Sequence, residues 1–414
     1  MNGPTDAEWR RHAERLVDGL VRRGALRDDR WRDALLDVPR HHFVPAHYTR
    51  PARGGHWQRH DPGTEPESPG WLRRVYSDAG LTIALSELDV WGDQRPVAAS
   101  PPPELTVRSL QALGADDGDR LLQLGVGCGY TTALAAHRLG RGKVVGVEID
   151  PDLLRAAARR FEERDLDVVV RPGDASLPVP LSGDGAPFDR VLVGYESDDI
   201  PAVWVHHLRP GGRLLARLAG GLGGGGHVLF RRPPTDGRSP SEDSPQLVGR
   251  FLGWTGPLPA RRMAATRRAV RRPAPPTGGL VTPGSTPVAP TMLAGDDSPL
   301  VLLAQLHLPR GTTCASRTSE TGTAATYLQA PDGSWAEIAH ASDRRGRHDT
   351  REAGPTPLVR ALGEAAAVYD DLGRPEWADF GVTATATGTH VWHHDPATGP
   401  RWPLGTTWTA NTVT

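Results

Sequence analysis

Between residues 104 and 220, short apolar runs alternate with helix-periodic segments, and this alternation restricts the fold more than any other feature of the chain. The helical PELTVRSLQAL precedes the strand-like RLLQLG, and YTTALAAHRLG, KVVGVEI, DLLRAAARRFEER, DVVVRPG and DRVLVGY follow in turn. Strands that are apolar along their length are buried on both faces, which calls for a parallel sheet covered by helices on each side. Right-handed crossovers then give a doubly wound, Rossmann-like α/β sheet. A helical segment precedes it. Trp9, Ala13, Leu16, Leu20 and Val21 recur near helical spacing over 6–23, and a second helix is predicted over 29–37, stopping before Pro39. Residues 50–70, rich in Pro, Gly and His, read as a loop.

The alternation fades near residue 220. The stretch GGLGGGG, 220–226, lies between apolar LLARLA and HVLF and reads as a hairpin tip. RRPPTDGRSPSEDSP and TRRAVRRPAPPTGG are Pro-rich and polar, as linkers are. LVGRFLGWTGPLPARRM between them is apolar enough to require a packing partner. Residues 299–414 contain apolar PLVLLAQLHL, helix-like PLVRALGEAAAVYDDLG and strand-like FGVTATATGTHVWHH, which together suggest a smaller α+β domain. The expected organisation is therefore an N-terminal helical and substrate-loop segment (1–103), a sheet core (104–232), a Pro/Arg-rich connection (233–298) and a C-terminal α+β domain (299–414).

Charge and cysteine usage narrow the function classes. The formal net charge is −1, so no global field draws the chain to nucleic acid or an anionic membrane. The two cysteines, Cys128 and Cys314, suit a reducing compartment rather than a disulfide scaffold. The N-terminus has no apolar signal region, and no run approaches the roughly 18–20 apolar residues of a membrane helix. The expectation is a cytoplasmic monomer.

The chemistry-bearing motif is LLQLGVGCGY, 121–130. Glycines between a strand and a helix let a ligand approach the backbone at a helix N-terminus, where free N–H groups and partial positive charge lie. The dinucleotide fingerprint needs a third glycine at a position that here is Tyr130, so it fails. The observed spacing is Gly125-x-Gly127-x-Gly129, a form common among methyltransferases that use S-adenosyl-L-methionine. Glu148 stands near the end of the next strand, where a carboxylate can accept from both hydroxyls of a ribose. Asp174 follows Gly173 at the end of the third strand, within reach of an adenine amine; its plainer reading is an Asx turn.

The sequence resembles the protein-L-isoaspartate O-methyltransferase family over roughly residues 15–220. The resemblance is carried by LLDVPRHHFVP (35–45), VYSDAGL (75–81), VAASPPP (97–103), LLQLGVGCGYTTALAA (121–136), GDA (173–175), APFDRVLVG (186–194) and LRPGGRLL (208–215). It implies methyl transfer from S-adenosyl-L-methionine to a peptide side-chain carboxylate. By motif match it implies Ser100 beside the reacting carboxylate, Asp78 near the cofactor, Gly125, Gly127 and Gly129 in the cofactor turn, and Glu148 and Asp174 on ribose and adenine. Pro102 and Tyr195 fall where substrate should approach. Two departures lie there too: Pro103 follows the Ser-x-Pro element, and YESDD (195–199) replaces a run of small residues.

The additional C-terminal half resembles the long form found beside biosynthetic clusters for ribosomal peptides. That likeness implies an aspartate in a constrained lanthipeptide or an ester/amide-crosslinked graspetide as substrate, and an aspartimide or isoaspartate as product. Two other functions compete: repair of isoaspartate in damaged proteins, and a catalytically silent peptide-binding adaptor. Other constellations carry less. His41–His42 and His393–His394–Asp395 lack partners at metal-ligand spacing, so no metal is expected. The basic run Arg261, Arg262, Arg267, Arg268, Arg271 and Arg272 reads as a solvated face or as a dock for an acidic leader peptide. Cys128 reads as a small filler.

Overall fold

The structure is a computed structural model. It describes residues 4–50, 55–63, 69–87, 94–181, 187–222, 225–234, 244–254, 280–293, 298–318 and 324–404. The basic run at 261–272 therefore lies outside the described residues, as does most of the Pro/Arg-rich connection. The chain divides into two compact units. One holds Met1–Tyr195 and Pro201–Leu215; the other holds Glu196–Ile200, Ala216–Pro257 and Ala264–Thr414.

The first unit opens with α1 (Asp6–Arg22), α2 (Asp29–Asp37) and α3 (Arg40–Phe43). The spacing of Trp9, Ala13, Leu16 and Leu20 does put them on one buried face, and a capping box between Thr5 and Glu8 starts α1. Asp28 caps α2 by accepting from the Arg30 and Trp31 N–H groups. Next come β1 (His47–Thr49), β2 (Gln58–His60), α4 (Pro69–Val75), β3 (Leu81–Leu85) and β4 (Pro96–Ser100). These four strands form an antiparallel sheet in the order β2-β1-β3-β4. The loop expected over 50–70 is thus interrupted by β2, a polar strand identified by its pairing with β1 rather than by any apolar pattern.

The predicted alternation then appears element by element. It comprises α5 (Pro103–Leu113), β5 (Leu121–Leu124), α6 (Tyr130–Leu139), β6 (Val144–Glu148), α7 (Pro151–Glu163), β7 (Val168–Pro172) and β8 (Phe188–Ser197). The strands run parallel in the order β8-β5-β6-β7, and β5 and β6 are buried along their full length. Lys143 immediately precedes β6, and its ammonium donates to the Gly118 carbonyl at 3.1 Å. Because β8 returns to the far side of β5, the strand order reverses between β5 and β8. The carboxyl ends there form the crevice at which sheets of this kind hold ligands. The short α8 (Ala202–His207) and the long β9 (Leu208–Ala219) follow.

The second unit contains two runs of antiparallel strands. One has the order β10-β11-β17-β18-β19, from β10 (Gly225–Arg231), β11 (Leu247–Phe251), β17 (Phe380–Ala384), β18 (Thr389–His393) and β19 (Arg401–Leu404). The other has the order β12-β16-β15-β14-β13, from β12 (Thr282–Thr286), β13 (Thr313–Thr318), β14 (Ala324–Gln329), β15 (Trp335–Ser342) and β16 (His348–Ala353). Helices α9 (Pro299–His307) and α10 (Leu358–Asp371) pack on one another. Val228, Phe230, Leu247, Phe251, Phe380, Val382 and Val391 bury their side chains. The expected boundaries at 232/233 and 298/299 do not match this division. β11 pairs with β17 across more than a hundred residues and β10 pairs with β11, which draws 216–232 into the second unit.

Candidate active site

The glycine turn joins β5 to α6, with Gly125, Gly127 and Gly129 all at positive φ (85°, 57° and 89°). Each glycine is required for a different reason. A Cβ on Gly125 would lie 3.1 Å from the Tyr195 ring and 3.6 Å from the Gly194 carbonyl carbon. A Cβ on Gly129 would lie 2.8 Å from Phe161, so this glycine lets α6 start against α7. A Cβ on Gly127 would meet nothing within 4 Å, so it borders open space where a ligand can lie on the backbone.

Glu148 ends β6 and is only 6% exposed. Its Oε2 accepts from the Gly127 N–H at 2.7 Å and its Oε1 from the Asp150 N–H at 3.0 Å. A carboxylate has about four acceptor sites, so two remain for a diol after these bonds are made. Asp174 lies at the next strand end. There its Oδ1 accepts from the Ser176 N–H (2.9 Å) and hydroxyl (2.7 Å), the Asx geometry, and these bonds hold its carboxyl below the ordinary value. Tyr195, on β8, packs edge-on to Trp204 with centroids 6.1 Å apart. Burial, and after it the charge of Asp174, pushes its hydroxyl up to about 12. The remainder of YESDD belongs to the second unit, where Glu196 pairs with Arg217 and both Asp198 and Asp199 with Arg310.

The loop residues are arranged differently from a simple motif reading. Ser100 has no exposed surface, and its Oγ accepts from Arg40 Nη2 at 3.3 Å. It does not cap α5. Pro102 occupies the cap position, and Asp78 closes the helix start from a distance, its Oδ1 accepting from the Glu104 N–H at 2.9 Å. The other Asp78 oxygen accepts from Arg23 at 2.6 Å, and burial raises the carboxyl above its ordinary value. Asp78 therefore spends its carboxylate on α1 and α5. Pro102 lies against Gly80, 3.5 Å from the position of a Cβ there.

Three supporting residues were not singled out from the sequence. Gln123, buried in β5, donates to the Gly125 carbonyl at 3.1 Å and accepts from the Thr132 hydroxyl at 2.9 Å, bracing the turn at both ends. Trp204 Nε1 donates to the Ala175 carbonyl at 2.9 Å and fixes the corner after Asp174. Arg40 is wholly buried beneath the loop. A polar residue inside an apolar run was the visible signal for Gln123; Trp204 and Arg40 had none. The histidine pairs serve packing. His41 Nδ1 lies 2.8 Å from the Tyr76 hydroxyl, and His42 lies 3.3 Å from the Arg160 carbonyl and 3.4 Å from Glu163. Among the described residues no cluster of three or more His, Cys, Asp or Glu is placed to hold a metal ion, and no helix is long and apolar enough to cross a membrane. Cys128 is buried and free.

A parallel sheet with a glycine turn and strand-end carboxylates at its switch point defines a nucleoside-binding α/β enzyme. Residues 71–220 match the family described as protein-L-isoaspartate(D-aspartate) O-methyltransferase. A protein-L-isoaspartate O-methyltransferase of Methanopyrus kandleri is 30% identical over 214 residues, covering 51% of this chain and 78% of that protein. One from Anaeromyxobacter dehalogenans is 32% identical over 193 residues, covering 46% and 73%. A solved structure described as a protein-L-isoaspartate O-methyltransferase aligns over 92% of this chain and 98% of its own, at 21% identity and a TM-score of 0.46. The chain belongs to the protein-L-isoaspartate O-methyltransferase family. It is an S-adenosylmethionine-dependent methyltransferase.

Proposed function

We propose that this enzyme methylates the side-chain carboxylate of an aspartate in a ribosomally made, modified peptide, and that the ester then closes to a succinimide. The observation that carries the reading is the second unit: beyond the family match, the described residues of 221–414 build ten strands and two α-helices with buried apolar side chains. A folded body of that size, with no metal-type cluster of His, Cys, Asp or Glu among its described residues, suits peptide binding. In this reading the enzyme is a cytoplasmic monomer.

S-Adenosylmethionine, when bound, supplies a methyl group activated by its sulfonium. The open space beside Gly127 and the unfilled acceptor sites of Glu148 fit its ribose, and Asp174 keeps Oδ2 for the adenine amine. The acceptor carboxylate is ionised at neutral pH and needs no base. The chain's task is orientation, holding the carboxylate in line with the methyl group. Tyr195 and Pro102 wall the approach, and Ser100, inward-facing as it is, acts by shaping the loop. The ester oxygen leaves as methanol when the next backbone nitrogen attacks the carbonyl carbon. Hydrolysis of the resulting ring gives aspartate or isoaspartate.

Mass spectrometry of linear and macrocyclic peptides, with enzyme and S-adenosylmethionine, tests this. A preorganised macrocycle loses less conformational entropy on binding and should be preferred. One methyl gained and then methanol lost supports the reading. Equal methylation of both forms, or efficient methylation of a generic isoaspartyl peptide, favours repair. No methyl transfer to any of them points to a different acceptor and overturns the reading.

A further inference from the structure

Arg40 belongs to the LLDVPRHHFVP motif but receives no task from the cofactor site. Its side chain is fully buried, and no carboxylate lies within ion-pair distance of it among the described residues. A desolvated charge without a counter-ion is expensive unless its donors are matched. Here the two Nη groups are matched by two segments, 75–79 and 100–101, while the buried Nε has no hydrogen-bond partner among the described residues. Nη1 donates to the Val75 carbonyl (2.8 Å) and the Ser77 carbonyl (3.0 Å). Nη2 faces the Ala79 carbonyl (3.2 Å), Ser100 Oγ (3.3 Å) and the Pro101 carbonyl (3.0 Å). Below, the guanidinium lies 5.6 Å from the Tyr130 ring centroid, at the first residue of α6. Alternate carbonyls of 75–79 thus turn inward onto one cation, which also grips the end of β4.

We propose that Arg40 is a positioning residue for methyl transfer, locking the 75–79 segment to Ser100–Pro101 and fixing both above the glycine turn. The proposal rests on the reading of the preceding section only in placing that loop beside the acceptor carboxylate. Five acceptors around a planar fork explain the residue type. Lysine carries the same charge but three donors radiating from one point, so it cannot span them. The Ser100 oxygen, engaged by the guanidinium, keeps its own hydrogen as a donor.

The variant Arg40→Lys tests this through amide hydrogen exchange, S-adenosylhomocysteine binding and turnover of an isoaspartyl peptide. Exchange at 75–80 and at 98–100, the last amides before the prolines at 101–103, should rise about tenfold while 121–148 stays protected. S-Adenosylhomocysteine affinity should remain within about twofold, and kcat should fall about tenfold or more at unchanged KM for S-adenosylmethionine. Unchanged exchange in both segments overturns the proposal, as does loss of protection that spreads over 121–148. If the wild type ignores the isoaspartyl probe, the substrate reading is what changes, and the exchange and binding results still decide the role of Arg40. Should Arg40→Lys fail to fold, wild-type exchange at rising denaturant decides instead. The two segments must open together and before the sheet; separate opening overturns the lock.

Discussion

Gly127 and Gly129 stand two positions apart in one turn, yet different things depend on them. Replacing Gly129 with Ala drives a methyl into Phe161 and should lower stability by about 1–3 kcal/mol, read from the urea midpoint. Replacing Gly127 with Ala meets no protein atom, so the loss is limited to the strain of its left-handed backbone, about 1–2 kcal/mol. Its larger effect should be on S-adenosylhomocysteine affinity, because the methyl enters the cofactor's space; unchanged affinity by calorimetry would place the cofactor elsewhere. Glu148→Ala should weaken that affinity by about 1–3 kcal/mol, two ribose bonds being lost. Some weakening will come from the turn itself, since the same carboxylate holds the Gly127 N–H. A Glu148→Gln variant keeps one oxygen for the Gly127 N–H but sets its NH2 against the Asp150 N–H, so its urea midpoint, measured beside its affinity, gauges how much of the loss comes from the turn.

Among elements, those from α5 to β8 were readable from sequence because their signals are local: helical periodicity, wholly apolar strands, and glycines at the turns. The polar β2, β12 and β16 were not, since pairing with partner strands rather than an apolar pattern creates them. α8 was missed because six residues between two strands leave no room for a period. The site was legible to the same degree. Glu148 and the glycines announce themselves at strand ends, whereas Arg40 reads as an ordinary surface residue until five acceptors from 35 to 61 residues away surround it. Its neighbour on α3 yields a pH prediction. Burial, aided by the charges of His42 and Arg164, lowers His41 to about 4. The folded state therefore favours the neutral ring. That stabilisation is complete above the unfolded value near 6.5 and is lost as pH falls through about 4. Urea midpoints should decline over that window, and His41→Phe should flatten the decline; an identical slope in the variant would assign the acid sensitivity to other groups.

At the scale of the whole molecule, a chain that divides into two compact units predicts two calorimetric transitions. S-Adenosylhomocysteine at a hundredfold its Kd should add about 2.7 kcal/mol to the unit that contains 121–174 and leave the other unshifted. A single transition that moves as one would show that the units unfold together. The cation at the start of β6 has a different consequence. Lys143 is the sole lysine of the chain, every other basic side chain being Arg or His. β6, Val144–Glu148, follows it, so the backbones of Lys143 and Glu148 lie about 16 Å apart, at opposite ends of that strand. Apart from the amino terminus, an amine-reactive dye or resin has this single point of attachment. Enzyme tethered there turns its glycine crevice away from the support, which makes the unmutated protein its own oriented reagent for fishing peptides out of a mixture.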